Sequence, residues 1–331
     1  MVWARSLGME SNRVLLNFEI PIQDSISKLE FAPHSNNLLI SSWDSILRLY
    51  DVDKSILRLE ASSEAALLDC CFQDESLAFS AGSDGCIRSY ELQSGIVETV
   101  GKHDDSVTHI RYSDRTCQIV TAGLDGKIQL WDTRKEKSLS FVRNMGSDVV
   151  SMSLSGFNLN VASRACVYLL DLRNLEKSIQ LKDSYMKVPV ACVSSVPYSE
   201  GVAVGSVDGC VALDITCLDQ TDDISRYIFR CHPKSKAGRN HLESVNDIVF
   251  NPIHHGAFAT GDNTGFVSIW DFQRKRRILE LPRFPNSVAS LSYNCTGELL
   301  AVASSCTYQE AKEREDPPQV FLHNVMDSST G

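Results

Sequence analysis

A repeat of about forty residues runs through most of the sequence and constrains the fold more than any other feature. Each unit opens with a short apolar segment whose last large residue can be compared between units. In the first four units that residue is Phe31, Phe72, Tyr112 and Leu154, at spacings of 41, 40 and 42 residues. Phe250 follows Leu154 after 96 residues, which fits two units and an insertion, and Tyr293 follows after another 43. Units of this length must stack on their neighbours to bury their apolar faces, so we expect seven of them in one domain.

Within each unit the residues alternate as β-strands with two unlike faces require. The third apolar segment places an aliphatic residue at one position and a polar residue at the next. These pairs are Leu47 and Arg48, Ile87 and Arg88, Ile128 and Gln129, and Val267 and Ser268. A period of two is typical of strands, and helical spacing is absent from these segments.

Each third segment ends on an aromatic and acidic pair and is preceded by a short turn. The clearest pairs are Tyr50-Asp51, Tyr90-Glu91, Trp131-Asp132 and Trp270-Asp271. Asp44, Asp84 and Asp125 each stand six residues before the aromatic residue. An Asp in such a turn can accept a hydrogen bond from its own backbone, so these residues are expected to hold the turns.

This pattern resembles the WD40 repeat over residues 14–325, and the resemblance implies an all-β, seven-bladed β-propeller. Val14 to Ile20 is expected to supply the outer strand of the last blade, which closes the ring and removes its exposed edge. Residues 1–13 then form an extension and 326–331 a tail. In WD40 repeats the turn Asp commonly pairs with a His, here His103; Thr264 replaces the Asp in the sixth repeat, which predicts an incomplete network there.

Composition restricts the function. The formal net charge is -10, which argues against direct binding of nucleic acid. Eleven cysteines without a CxxC pair indicate a reduced protein. No signal peptide or membrane-spanning segment is expected. No phosphate loop or hydrolase motif occurs, and the adjacent pair His254 and His255 is poorly spaced for a metal, so we expect no enzyme activity, cofactor, metal or small-molecule substrate.

Four further features leave alternatives open. The basic run Arg274 to Arg277 reads either as a solvated turn or as a nuclear-import or nucleic-acid patch. The endings Asp132-Thr133-Arg134 and Asp171-Leu172-Arg173 accompany docking to a ubiquitin-ligase adaptor in some WD40 proteins but also occur without it. Residues 217–243 and Thr307 to Pro318 are insertions, where function often concentrates.

Several stretches resemble the mitotic-checkpoint Bub propellers, whose sister family is the Rae/Gle messenger-RNA-export propellers. They are Ser41-Ser42-Trp43-Asp44, Leu68-Asp69-Cys70-Cys71-Phe72, Asp171-Leu172-Arg173-Asn174, Phe229-Arg230-Cys231-His232, Phe258-Ala259-Thr260-Gly261 and Leu300-Ala301-Val302-Ala303-Ser304-Ser305. The resemblance implies a non-enzymatic adaptor of the spindle assembly checkpoint. Such adaptors bind the GLEBS peptide of checkpoint kinases and a phosphothreonine in MELT repeats of a kinetochore scaffold.

The resemblance also implies site residues. Trp43 matches the aromatic residue of the first-blade peptide contact, and Leu124 stands where the third blade usually repeats that Trp. Cys210 replaces an Arg that pairs with GLEBS glutamates, which removes a bond worth ~2–5 kcal/mol when buried. Arg230 matches a basic position that contacts phosphate.

The expected protein is therefore a monomeric propeller in hetero-complexes with protein partners, without a membrane. It is expected in the nucleus and cytoplasm, and at kinetochores in mitosis. The alternatives are a substrate receptor of a cullin-RING ubiquitin ligase and an mRNA-export or nuclear-pore adaptor.

Overall fold

Seven four-stranded antiparallel sheets make up the protein, as a computed structural model shows. The structure describes residues 13–135, 138–163, 166–183, 188–197, 199, 201–215, 225–231, 243–307 and 316–325. Across these ranges there are 28 strands, and none of the described residues lies in a helix. The predicted all-β, seven-bladed propeller is confirmed.

The first four blades each use four consecutive strands, ordered from the centre outward. Blade one contains β2 (Ile26–Phe31), β3 (Asn37–Ser42), β4 (Ile46–Asp51) and β5 (Ile56–Ser62). Blade two contains β6 (Leu67–Phe72), β7 (Leu77–Gly82), β8 (Cys86–Glu91) and β9 (Val97–Lys102). Blade three contains β10 (Val107–Ser113), β11 (Gln118–Gly123), β12 (Lys127–Trp131) and β13 (Leu139–Asn144). Blade four contains β14 (Ser151–Ser155), β15 (Asn158–Ala162), β16 (Cys166–Asp171) and β17 (Asn174–Asp183).

The last three blades complete the ring. Blade five contains β18 (Val190–Ser195), β19 (Val202–Ser206), β20 (Cys210–Ile215) and β21 (Ser225–Arg230). Blade six contains β22 (Val245–Phe250), β23 (Ala257–Asp262), β24 (Val267–Asp271) and β25 (Arg276–Glu280). Blade seven contains β26 (Val288–Tyr293), β27 (Leu299–Ser304), β28 (Gln319–Asn324) and, at its outer position, β1 (Arg13–Leu15).

The position of a strand within its blade decides how much of it is buried. Second strands such as β3 and β7 are covered on both faces by neighbouring blades, so nearly every residue in them is buried. Outer strands such as β5 alternate between exposed and covered residues. The core therefore lies between blades, for example where Leu39, Leu47 and Leu49 of blade one pack against Leu67 and Phe72 of blade two.

The two ends of the described chain meet in blade seven. Val14 lies opposite Leu322 in the antiparallel pairing of β1 with β28. The prediction that the N-terminal segment supplies this outer strand is confirmed, although the strand spans only three residues. It ends early because Leu16 and Ile22 turn inward and join Val320 in an apolar cluster between blades seven and one.

Side chains bridge all seven boundaries between the innermost strands, mostly by bonding backbone groups of the next blade. The bridges are Glu30 to Phe72, Asp69 to Ile110, His109 to Val150, Ser151 to Val193, Cys192 to Val245, Asp247 to Leu291 and Ser290 to Leu29. Satisfying backbone groups that face the centre in this way fixes each blade against its neighbour.

Asp69 is the most heavily engaged of these residues. Its carboxylate accepts hydrogen bonds from the backbone N–H of Ile110 at 3.0 Å and from the guanidinium of Arg111 at 2.6 Å. Burial alone would raise the pKa of Asp69, but Arg111 and His109 outweigh it and lower that pKa from 3.8 to about 2.

We predict that Asp69→Asn lowers the free energy of unfolding by about 3 kcal/mol, because it leaves the Arg111 charge without its closest partner. The carboxylate stabilises the fold fully above its unfolded pKa of 3.8 and loses this effect as pH falls toward about 2. The gap between wild type and variant, measured by urea denaturation, should therefore narrow from pH 5 to pH 2. The exposed Glu98→Gln is the control, and a gap of the same size at both pH values would contradict the assignment.

Candidate peptide-binding face

One end of the propeller carries the turns between the second and third strands of the blades, and we call it the upper face. The first residue after the second strand donates its backbone N–H to the residue just before the innermost strand. This bond recurs as Trp43 to Ser25, Ser83 to Ala66, Leu124 to Ser106, Val207 to Pro189, Asn263 to Ser244 and Ser305 to Ser287. Because the innermost strands of adjacent blades run parallel, these turns all reach the same end. The other end, with the turns between third and fourth strands, is the lower face.

The predicted turn aspartates hold the upper-face turns of blades one to three. Asp44, Asp84 and Asp125 each accept a hydrogen bond from the backbone N–H two residues further on, at 3.0–3.1 Å. In blades one and two a guanidinium four residues later binds the same carboxylate, from Arg48 at 2.8 Å and Arg88 at 2.5 Å. The bond from Arg88 lowers the pKa of Asp84 to about 2.

His103 takes the cationic position in blade three, as predicted. Its Nδ1 lies 3.0 Å from Asp125 Oδ2 and its Nε2 lies 2.7 Å from the hydroxyl of Thr121. Thr121 also accepts a hydrogen bond from the indole N–H of Trp131 at 2.8 Å. Burial lowers the pKa of His103 against the opposing effect of Asp125, so the ring favours its neutral form.

The network predicted to be incomplete in blade six is present in a different form. Asp262, two residues before Thr264, accepts hydrogen bonds from the backbone N–H and the hydroxyl of Thr264 and from the N–H of Phe266. The carboxylate has moved to the position that Ser42 holds in blade one. The prediction was wrong because it looked for the Asp only at the aligned position.

Trp43 and Leu124 occupy the same turn position in blades one and three. Their side chains are 40% and 48% exposed, although both are large and apolar. Trp43 therefore belongs to the rim of the upper face and not to the core of blade one. Exposed aromatic and aliphatic side chains on a rigid surface are typical anchors for a protein partner.

Cys210 and Arg230 lie opposite each other in the pairing of β20 with β21, also at the upper face. The guanidinium of Arg230 binds Asp208, with its Nη2 at 3.1 Å from the carboxylate. The Sγ of Cys210 lies 3.7 Å from that carboxylate. Partial burial works against ionisation, but the hydroxyl of Ser206 and the charge of Arg230 lower the pKa of Asp208 below its ordinary value.

The four predicted site residues therefore share one face without forming one cluster. Trp43, Leu124 and the pair of Cys210 and Arg230 belong to blades one, three and five, with one blade between each. Asp208 was missed by the sequence analysis although it contacts both Cys210 and Arg230. Glu243 lies near Arg230 as well, and burial, followed by the charge of Asp262, raises the pKa of Glu243.

The two Asp-x-Arg endings lie at the lower face, and each Arg folds back onto its own Asp. Arg134 Nε lies 2.8 Å from Asp132, and Arg173 Nη2 lies 2.5 Å from Asp171. Arg173 also covers the ring of Phe157. Much of the two predicted insertions, 216–224 with 232–242 and 308–315, lies outside the described residues.

Neither metal ligation nor membrane spanning is indicated by the described residues. They include no group of three or more His, Cys, Asp or Glu side chains that could hold a metal ion. A search of the same residues finds no helix with the length and hydropathy needed to cross a membrane.

Comparison with known proteins identifies the family. The sequence matches the WD domain, G-beta repeat, over residues 16–51 and 95–132, which include Trp43 and Leu124. The mitotic checkpoint protein BUB3.3 of Arabidopsis thaliana is 52% identical over 94% of this chain and 98% of its own length. The chain belongs to the Bub3 family of mitotic checkpoint proteins.

Other relatives of this Bub3-family propeller agree. BUB3.1 of Arabidopsis thaliana is 38% identical over 92% of the chain and 91% of the relative, and bub3 of Dictyostelium discoideum is 33% identical over 97% of both. The Poly(A)+ RNA export protein of Schizosaccharomyces pombe is 28% identical over 92% of the chain and 89% of the relative. The resemblance to the Bub propellers is thus confirmed.

We predict that the double variant Trp43→Ala with Leu124→Ala keeps the stability of the wild-type propeller to within about 0.5 kcal/mol per site, because exposed side chains contribute little to the core. Trp131→Ala, which removes a buried ring and the bond to Thr121, is the contrasting variant and should lose several kcal/mol, about 3–5. Urea denaturation distinguishes the two. An equal loss in both would mean that Trp43 and Leu124 are structural residues.

Proposed function

We propose that this Bub3-family propeller is a non-enzymatic adaptor of the spindle assembly checkpoint that holds peptide segments of its protein partners on the upper face. The observation that carries the proposal is the pair Trp43 and Leu124, which expose large apolar side chains at equivalent turns. A ring whose boundaries are all bridged presents these anchors without an ordering cost on binding. Preorganisation of this kind raises the affinity for an extended peptide.

The charged part of the site differs from the pattern that the family resemblance implies. A half-buried thiol at Cys210 cannot form the charge-assisted bond that a guanidinium would offer to a glutamate. The nearby carboxylates of Asp208 and Glu243 add negative charge to this part of the face. We infer that the GLEBS-type peptide of a checkpoint kinase binds mainly through Trp43 and Leu124 here, and that its glutamates contribute less.

Arg230 offers a plausible contact for phosphothreonine in a MELT repeat. About a third of its side chain is exposed, and its bonds go to Asp208 through Nη1 and Nη2. The N–H of Nε makes no hydrogen bond with the described residues and is open to a phosphate oxygen. A phosphate must compete with Asp208 for this cation, so we expect binding that depends on salt as well as on phosphorylation.

The adaptor proposal places the protein in the nucleus and cytoplasm, and at kinetochores in mitosis. Its partners are checkpoint kinases and the kinetochore scaffold. The support is the family membership together with the exposed anchors of the upper face.

Titration calorimetry with a phosphorylated MELT peptide tests the role of Arg230. Arg230→Ala should weaken the phosphorylated peptide by about tenfold or more, because a hydrogen bond to a charged group contributes about 1.5–3 kcal/mol. The unphosphorylated peptide should bind both proteins equally. Arg134→Ala removes a comparable Arg–Asp pair from the lower face and is the matched control. Equal affinities for the two peptides in wild type would contradict the phosphate role.

Restoring a guanidinium at position 210 tests the peptide site in the opposite direction. Cys210→Arg should raise the affinity for a GLEBS peptide by about tenfold, since it adds a charge-assisted bond. The gain should vanish with a peptide whose glutamates are replaced by Gln, and Trp43→Ala should weaken binding in both backgrounds. Cys117→Arg makes the same change at an exposed cysteine of the opposite face. If Cys117→Arg gives the same gain, the effect is one of net charge and the site is misplaced.

A further inference from the structure

A groove between blades six and seven opens near the lower face, away from the upper-face anchors. It encloses about 270 Å³, and its lining includes Ala257, Ile278, Leu279, Tyr293 and Val325. Ile278 is 51% exposed and Ile253, in the neighbouring turn, is 56% exposed. The space suits one apolar side chain of medium size rather than a whole small-molecule ligand, since such ligands occupy about 300–1,000 Å³.

The wall of this groove contains a buried polar group without a partner. Tyr293 is only 8% exposed, and its hydroxyl makes no hydrogen bond with any described residue. A buried hydroxyl left unpaired costs about 1–3 kcal/mol. The fold has no evident need for this hydroxyl, because the ring of Tyr293 alone fills the apolar cluster between the blades. A ligand that enters the groove with a hydrogen-bonding group would satisfy it.

The rim of the groove is basic in a chain whose formal net charge is -10. The run Arg274 to Arg277 forms the turn between β24 and β25 and the start of β25, and all four side chains are exposed. Asp271 binds Arg274 at 3.6 Å and Glu280 binds Arg277, so two carboxylates offset four cations. Arg276 forms no ion pair with any residue in the described ranges.

Two neighbouring groups add to this rim. Lys275 lies 4.9 Å from the centre of the Tyr227 ring, which holds it at the lower face of blade six. His254 and His255, in the turn before β23, are exposed and line the groove. The basic side chains therefore surround an apolar cavity, and this combination selects a ligand that is both acidic and apolar.

We propose that this groove is a second docking site, for a peptide segment in which an apolar side chain is flanked by acidic residues. The apolar side chain enters the cavity beside Tyr293, and the acidic residues lie on the turn Arg274 to Arg277. Nucleic acid fits less well, because the cavity presents aliphatic walls and the chain as a whole is acidic. Since the groove is separate from the upper face, the propeller can hold two partners at once.

Fluorescence anisotropy with a labelled synthetic peptide tests the proposal. The probe carries one Leu between two pairs of Asp, and two control peptides carry Ser for Leu or Asn for Asp. We expect saturable binding that weakens with salt and falls by about tenfold with either control peptide. The double variant Arg274→Glu with Arg276→Glu should lose a similar factor. Its matched control is Lys54→Glu with Arg58→Glu, which makes the same change near the equivalent turn of blade one and should bind like wild type.

Tyr293→Phe separates a ligand-binding role from a structural one. Removal of the unpaired hydroxyl should leave the free energy of unfolding unchanged or raised while it weakens the probe severalfold. Trp43→Ala should not affect the probe, so failure here is distinguishable from failure of the upper-face site. The proposal is overturned by equal binding of the probe to the charge-reversed variant. It is also overturned if a single-stranded RNA binds more tightly than the probe with the same dependence on Arg274 and Arg276, or if sedimentation shows a dimer that this variant disperses.

Discussion

Closure of the ring is the constraint on which the rest of the structure depends. Blade seven contains three strands from one end of the described chain, and its outer position is filled by β1 from the other end. A second seal lies at the centre, where Ser290 and Ser292 accept hydrogen bonds from the backbone of Leu29 and Phe31 in blade one. With both seals in place every second and third strand is covered on both faces, and the turns of the upper face keep fixed relative positions. A peptide that spans blades one to five can bind only because those positions do not drift.

The fold could be predicted because its information is local and repeated. Alternation within each strand, the turn aspartates and the spacing of the units all lie within about forty residues, and the pairing of His103 with Asp125 follows from the same pattern. The partners of Asp44 and Asp84 stand four residues away and could have been found as a recurring Asp-x-x-x-Arg spacing. Asp262 escaped because the carboxylate had moved by two positions within a turn of unchanged shape.

The candidate site was less predictable, for physical reasons. Trp43 and Leu124 could be placed on one face because equivalent turns of a propeller share an end. The pairing of Arg230 with Asp208 joins residues 22 positions apart across an insertion, so its register depends on a segment whose length follows no repeat. The groove beside Tyr293 gave no signal at all, because it arises from residues of four strands and two turns that only the packing of blades six and seven brings together.

A hydrogen-exchange footprint of a bound GLEBS peptide tests the central claim most directly. A rigid upper face that anchors the peptide predicts slower amide exchange at the turns around Trp43 and Leu124 on binding, with little change at the lower-face turns that follow Asp132 and Asp171. Protection confined to the lower face, or spread evenly through the blades, would contradict it.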